Sequence, residues 1–266
     1  MKVKKTLKSI LASSLLAGSS ITALAGSWFA ERPILEESPW KVGFEPSAGV
    51  YRYNFSAPAN SKNFTITGDT GLWDIPRVTT YNVTLPDSTV QSEDLSLALF
   101  VAYETKDFWR NFKIGKEFNF TLPKDEALVR LGVDRDPEMQ VLLDLKTQNI
   151  FFFEKEIFAT ERMEHHRGDF MWDLEGGYVS LIGKLNQHDW SMKAETFQTP
   201  YGGRLVRTAT KDLGSGKDYS GFIGLKAGGF GPRAATFIEA GLGFPLGGEG
   251  VIKPSWGARA GFNFKY

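Results

Sequence analysis

The sequence predicts an all-β fold, a single antiparallel up-and-down transmembrane β-barrel of about 12 strands, with 10 and 14 as the neighbouring even numbers. Three observations carry that expectation. The last eleven residues alternate, with Trp256, Ala258, Ala260, Phe262, Phe264 and Tyr266 on one face and Gly257, Arg259, Gly261, Asn263 and Lys265 on the other. From Gly176 onward, short alternating runs are joined by glycine-rich links, the rhythm of hairpins following one another around a cylinder. No segment after the start of the chain reaches the roughly 18 continuous apolar residues of a spanning helix, so residence in a membrane has to be achieved with strands.

The first 25 residues read as a cleaved export signal. Lys2, Lys4, Lys5 and Lys8 precede a small-residue and apolar stretch from Ile10 to Leu24, and Ala23-Leu24-Ala25 fits the small-x-small cleavage pattern. That segment holds four of the 31 basic residues and none of the 31 acidic ones, so the remainder, residues 26–266, is weakly acidic and nucleic acid is not an expected partner. Zero cysteines exclude disulfides and thiolate metal sites. The 28 Gly, 21 Phe, 8 Tyr and 7 Trp favour strands and tight turns over long helices.

From Gly26 to Pro39 two prolines mark an irregular lead-in. Tyr51, Tyr53 and Phe55 share a face, and Phe64 to Thr67 follows a turn-like Pro58-Ala-Asn60, giving two strands or one bent one. Arg77 to Leu85 alternates between bounding prolines, as a strand does. The Asn-x-Ser/Thr triplets at Asn54, Asn63, Asn82 and Asn119 are read as strand composition. Leu95 to Tyr103 and Phe112 to Leu122 alternate again, with Lys116 interrupting the apolar side of the second; a lysine facing mid-lipid costs about 2–4 kcal/mol. Residues 123–169 are the most charged and least regular. There, Met139, Val141, Leu143 and Leu145 share a strand face, although Asp136-Pro137 also suits a helix start. Asn149 to Phe158 reads as a further strand, followed by a charged connection that holds His165 and His166.

Val179 to Leu185, Trp190 to Phe197, Arg204 to Lys211, Tyr219 to Ala227 and Thr236 to Phe244 follow as separate strands, with links at Thr199 to Gly203, Asp212 to Lys217, Gly229 to Arg233 and Pro245 to Ser255. On the final strand Trp256 and Tyr266 stand about 33 Å apart when extended, or roughly 25 Å along the normal at a 40° tilt, the height of an outer-membrane apolar band. The run ending in Phe262, Phe264 and Tyr266 resembles the C-terminal assembly signal of bacterial outer-membrane β-barrels. That resemblance implies residence in the outer membrane, lipid contact, and recognition by the barrel-assembly machinery through the last strand.

In that fold Trp190, Tyr219, Phe244, Trp256, Phe262, Phe264 and Tyr266 are the expected lipid-facing residues, and Lys193, Glu195, Lys226, Glu239, Arg259, Asn263 and Lys265 the expected lumen lining. A soluble sandwich, with the same alternation turned inward, is the structural alternative. Porin-like passage of small hydrophilic solutes, without cofactor, is the leading functional expectation. A lipid-modifying enzyme of the phospholipase or lipid A deacylase type, or a structural or adhesive barrel with a blocked lumen, is the alternative. The first of these lacks its signature, because His188 and Ser191 are three apart and so lie on opposite faces of a strand. No catalytic or metal residue is assigned; Glu164, His165, His166 and Asp169, or Asp134 and Asp136, make only weak ligand sets.

Overall fold

In a computed structural model of the chain, the structure describes residues 39–70, 77–105, 110–121, 126–133, 136–160, 176–199, 205–230 and 234–265. The export signal, nearly all of the lead-in, Asp134, the histidine pair with Glu164 and Asp169, and Tyr266 lie outside them.

Among the described residues there are eleven strands: β1 Trp40–Phe55, β2 Asn63–Asp69, β3 Val78–Thr84, β4 Ser88–Tyr103, β5 Phe112–Thr121, β6 Glu126–Val133, β7 Asp136–Ala159, β8 Gly176–Gln198, β9 Val206–Phe230, β10 Ala234–Gly248 and β11 Ile252–Lys265. Nine form one antiparallel sheet in the order β5-β4-β1-β11-β10-β9-β8-β7-β6, and β5 also pairs with β7, which bends the sheet into a ring. Strands β2 and β3 form a separate hairpin between β1 and β4 in the chain, packed against β8 and β9.

The expected count of about 12 strands around a barrel is corrected to nine in the sheet, of which the eight from β5 round to β7 make the ring and β6 continues beside the other end of β7. Met139 to Leu145 and Asn149 to Phe158 are one strand, β7; Val179 to Leu185 and Trp190 to Phe197 are one strand, β8; Arg204 to Lys211 and Tyr219 to Ala227 are one strand, β9. The polar stretches read as breaks are paired throughout: Asn186, Gln187, His188 and Asp189 of β8 sit opposite Ser220, Tyr219, Asp218 and Lys217. Asp212 to Lys217 is no link either. Gly214 takes a φ of +113°, open to glycine at little cost, beside the bulge at Met192/Lys193, so the strand absorbs an irregularity without ending. The long link expected at Pro245 to Ser255 shrinks to residues 249–251.

Two solvents account for the side-chain pattern. In the lower half of the ring, the end that holds the start of β1 and the end of β11, outward positions are apolar and exposed: Leu95, Leu99 and Val101 on β4, Ile114, Phe118 and Phe120 on β5, Leu181 on β8, Ile223 and Leu225 on β9, Ile238 and Leu242 on β10. Leu242 is 67% exposed while Glu239 on the same strand is 3% exposed, the reverse of a water-soluble sandwich. Trp40, Tyr103 and Phe112 gather at the lower rim, with ring centroids 5.0 to 6.0 Å apart. Trp256 marks the upper rim, with the Arg52 guanidinium 5.3 Å from its ring.

Above that rim the faces exchange character. Tyr53, Phe55, Val90, Met139, Val141, Leu143, Trp190, Met192, Ala194, Leu213 and Ile252 point inward and pack with Ile66, Val83 and Leu85 of the hairpin and its flank into a hydrophobic core. Outward positions there are polar, among them Gln148, Ser191 and Lys217. The 23 residues of β8 are twice the 9–11 of a tilted membrane crossing, so one strand serves both halves.

Candidate functional site in the ring interior

Alternation on eight strands sends nine charged side chains into the lower interior, each 6% exposed or less: Asp94 from β4, which accepts a hydrogen bond from Ser92 at 2.6 Å, and eight that pair with one another, Glu45 from β1, Lys113 and Glu117 from β5, Glu154 from β7, Lys184 from β8, Lys226 from β9, Glu239 from β10 and Arg259 from β11. Four carboxylates meet four cations, and they divide into two closed quartets. In one, Lys113 lies 2.6 Å from Glu45 and 3.1 Å from Glu154, while Lys226 lies 2.7 Å from Glu45 and 2.9 Å from Glu154. In the other, Arg259 lies 2.6 Å from Glu117 and 2.7 Å from Glu239, while Lys184 lies 3.1 Å and 2.7 Å from the same two carboxylates.

Charges taken from water need this kind of compensation, because one unpartnered ion in a low dielectric costs several kcal/mol. Aromatic rings complete the packing. The Lys113 ammonium stands 4.5 Å from the Phe100 centroid, Lys184 stands 5.3 Å from Phe222, and Lys226 stands 4.1 Å from Phe237. Ser47 accepts a hydrogen bond from Arg259 and shares one with Ser96, at 3.2 and 2.6 Å. Glycine is required where rings press on the backbone: a Cβ at Gly257 would stand 2.2 Å from Tyr51 Cδ1.

A polar layer separates the quartets from the hydrophobic core above. His188, wholly buried, has Nδ1 2.9 Å from Thr147 Oγ1 and Nε2 2.7 Å from Ser220 Oγ, and the Tyr53 ring stands edge-on at 5.2 Å. His188 and Ser191 do lie on opposite faces, one buried and one exposed. The serine that reaches the histidine comes from the neighbouring strand, a pairing that spacing along the chain does not reveal. A serine beside an imidazole is the nucleophile-and-base arrangement of acyl transfer. Here a threonine, not a carboxylate, holds the other ring nitrogen, and both groups are enclosed. Nearby, Asp218 accepts backbone hydrogen bonds from Glu249, Gly250, Val251 and Ile252 and ties down the β10–β11 turn.

Of the expected lumen residues, Lys226, Glu239, Arg259 and Asn263 are buried in the interior, and Lys265 lies at the lower end paired with Glu104. Lys193 and Glu195 are corrected. They lie on the face of β8 opposite Trp190, Met192 and Ala194, so they belong to the outside of the upper half. There Glu195 bonds Arg207 at 2.7 Å and Gln140 at 3.2 Å. Burial pushes the Glu195 carboxyl up, and the hydrogen bonds from Arg207 and Gln140 outweigh it, holding the group below the usual carboxylate range.

Of the expected lipid-facing residues, Tyr219, Phe244 and Trp256 are exposed and Phe262 is half-buried. Phe264 keeps its side of β11 but is covered by Phe44, stacked at 4.9 Å. Trp190 is corrected: it is 3% exposed, against Phe55 in the upper core, because β8 continues unbroken from the lower half and its even positions stay inward. Glu45, Lys113, Glu117, Glu154 and Lys184 were not among the expected site residues. Lys113, Glu117 and Lys184 already stand on the polar side of an alternating run, whereas Glu45 precedes any clear alternation and Glu154 follows the unalternating Phe151-Phe-Phe153.

No protein-family model matches this sequence, and neither does the sequence of any curated protein. Two solved structures are similar to this chain. One is Ail, the attachment invasion locus protein of Yersinia pestis, with a TM-score of 0.36 and 10% identity over 85% of this chain and 98% of that one. Another is Neisserial surface protein A, with a TM-score of 0.32 and 9% identity over 86% of this chain and 98% of the other.

Proposed function

We propose that the chain is an exported outer-membrane barrel whose lumen is blocked, and that it serves as a structural or adhesive surface protein carrying a folded β-layer out of the lipid. Outer-membrane lipids contact its lower half, and the final strand engages the barrel-assembly machinery. One observation carries the reading against a porin: of nine charges buried in the lower interior, eight pair with one another in two closed quartets, and the ninth, Asp94, is 4% exposed. A selectivity region for solutes needs charges that water and ions can reach.

Planar-bilayer recording of the purified protein tests it. The expected result is silence at neutral pH; discrete, long-lived open steps overturn the blocked lumen and restore diffusion of small hydrophilic solutes.

A lipid-acting enzyme remains the second reading, favoured by the 2.7 Å contact between His188 and Ser220. Hydrolysis of phospholipid by the same sample, abolished in Ser220→Ala, would establish it.

A further inference from the structure

Lys116 is an exposed charge at a costly height. It pairs in register with Leu99, four residues above the rim residue Phe112, and shares its face of β5 with Ile114, Phe118 and Phe120. On the outward faces of the described strands the other charges near this band stand at its edges: Glu93 on β4, two residues below the level of Trp256, and Lys155 on β7, level with Phe112 and donating to the Asn111 carbonyl. What surrounds Lys116 is aromatic. Six phenylalanines are widely exposed among the described residues, and five of them, Phe118, Phe120, Phe151, Phe153 and Phe158, lie on β5 and β7. The ammonium already stands 5.6 Å from the centroid of Phe118. The far side of the ring, by contrast, exposes aliphatic Ile223, Leu225, Ile238 and Leu242.

Resting on the membrane reading proposed above, we infer that the β5–β7 face is a homodimer interface in the bilayer, with Lys116 of each copy seated among the phenylalanine rings of the other. Hydrocarbon offers an ammonium nothing, whereas the negative face of a ring attracts it, most strongly where water is absent. A two-fold contact needs one patch that carries both partners of the interaction, and this patch holds the cation and the rings together. The contact also covers the weakest joint of the ring, since β5 and β7 pair over four residues only, Phe112 to Gly115 with Lys155 to Phe152.

The absence of cysteine makes the test direct. Single variants Phe118→Cys, Phe120→Cys and Ile238→Cys are reconstituted in vesicles of phosphatidylcholine and phosphatidylglycerol and oxidised. Disulfide-linked dimer is expected from Phe118→Cys or Phe120→Cys and not from Ile238→Cys, and adding Lys116→Leu should lower its yield about tenfold. Monomer from both β5 variants, or equal dimer from Ile238→Cys, overturns the interface. A membrane-impermeant maleimide separates the two failures: cysteines that stay protected in intact vesicles leave the membrane reading standing without the dimer, and cysteines that react remove both.

Discussion

The lower and upper halves of the ring solve the same problem with opposite materials. Below Trp256 the outside is greasy and the inside holds eight paired ions together with Asp94; above it the inside is greasy around Trp190, Met192 and Leu213 and the outside is polar. Backbone geometry is continuous across the boundary, and inward positions of β8 stay inward from Tyr178 to Ala194. On the membrane reading proposed above, the difference lies in the surroundings. Where hydrocarbon occupies the exterior, apolar side chains gain nothing by turning inward, and the space inside is free to hold charges that pair. Where water occupies the exterior, the hydrophobic effect returns and fills the centre.

The largest test removes one member of a quartet. Lys226→Met leaves Glu45 and Glu154 short of a cation inside the ring, and should cost about 3–5 kcal/mol in urea unfolding of the reconstituted protein. Adding Glu45→Gln to Lys226→Met should recover part of that loss; no recovery would mean the charges do not act as a set.

The comparison itself is tested on one face of one strand. Leu181→Lys, in the lower half of β8, should cost about 2–4 kcal/mol, whereas Ser191→Lys, ten residues further along the same face, should stay within about 0.5 kcal/mol. Equal tolerance of both would put the lower half in water.

A smaller loss, roughly 1 kcal/mol, is expected for Gly214→Ala, because its φ of +113° strains any residue with a Cβ while the nearest side-chain atom, Ser61 Oγ, leaves room at 3.7 Å. Thermal denaturation measures it.

Smallest is the outer pair of the upper half. Arg207 is more than half exposed, so Arg207→Ala should cost less than about 1 kcal/mol and less again in high salt. Since Glu195 is held below its unfolded value, its contribution is full above the usual carboxylate range and fades as pH falls through the lowered value. The gap in unfolding midpoint between the parent protein and Glu195→Gln should close on acidification; a gap that persists in acid would assign the effect to packing.

The phase of the alternation explains what could be read from sequence. The last strand was legible because β11 lies largely below the rim, where apolar means outward over Trp256, Ala258, Ala260 and Phe262. Strands β7, β8 and β9 cross the rim, and there the apolar residues change sides at Lys146 to Gln148, Asn186 to Asp189 and Asp212 to Lys217. A reversal of phase and a turn look alike in one dimension, which is why these three strands read as six and Trp190 reads as lipid-facing. The inward direction of Lys226, Glu239 and Arg259 followed from local pattern. Their partners did not, since Glu45 and Lys226 are 181 residues apart and meet only when the sheet curls.

The short joint between β5 and β7 fixes where the ring parts under load. Ten or more register pairs hold most neighbouring ring strands, against four here, with two side-chain bridges above them, Asn149 Oδ1 to the Glu117 amide at 3.1 Å and Asn119 Nδ2 to the Thr147 carbonyl at 3.3 Å. Like the zip of a tent, it is the line along which the fewest backbone pairs have to be undone to open the cylinder.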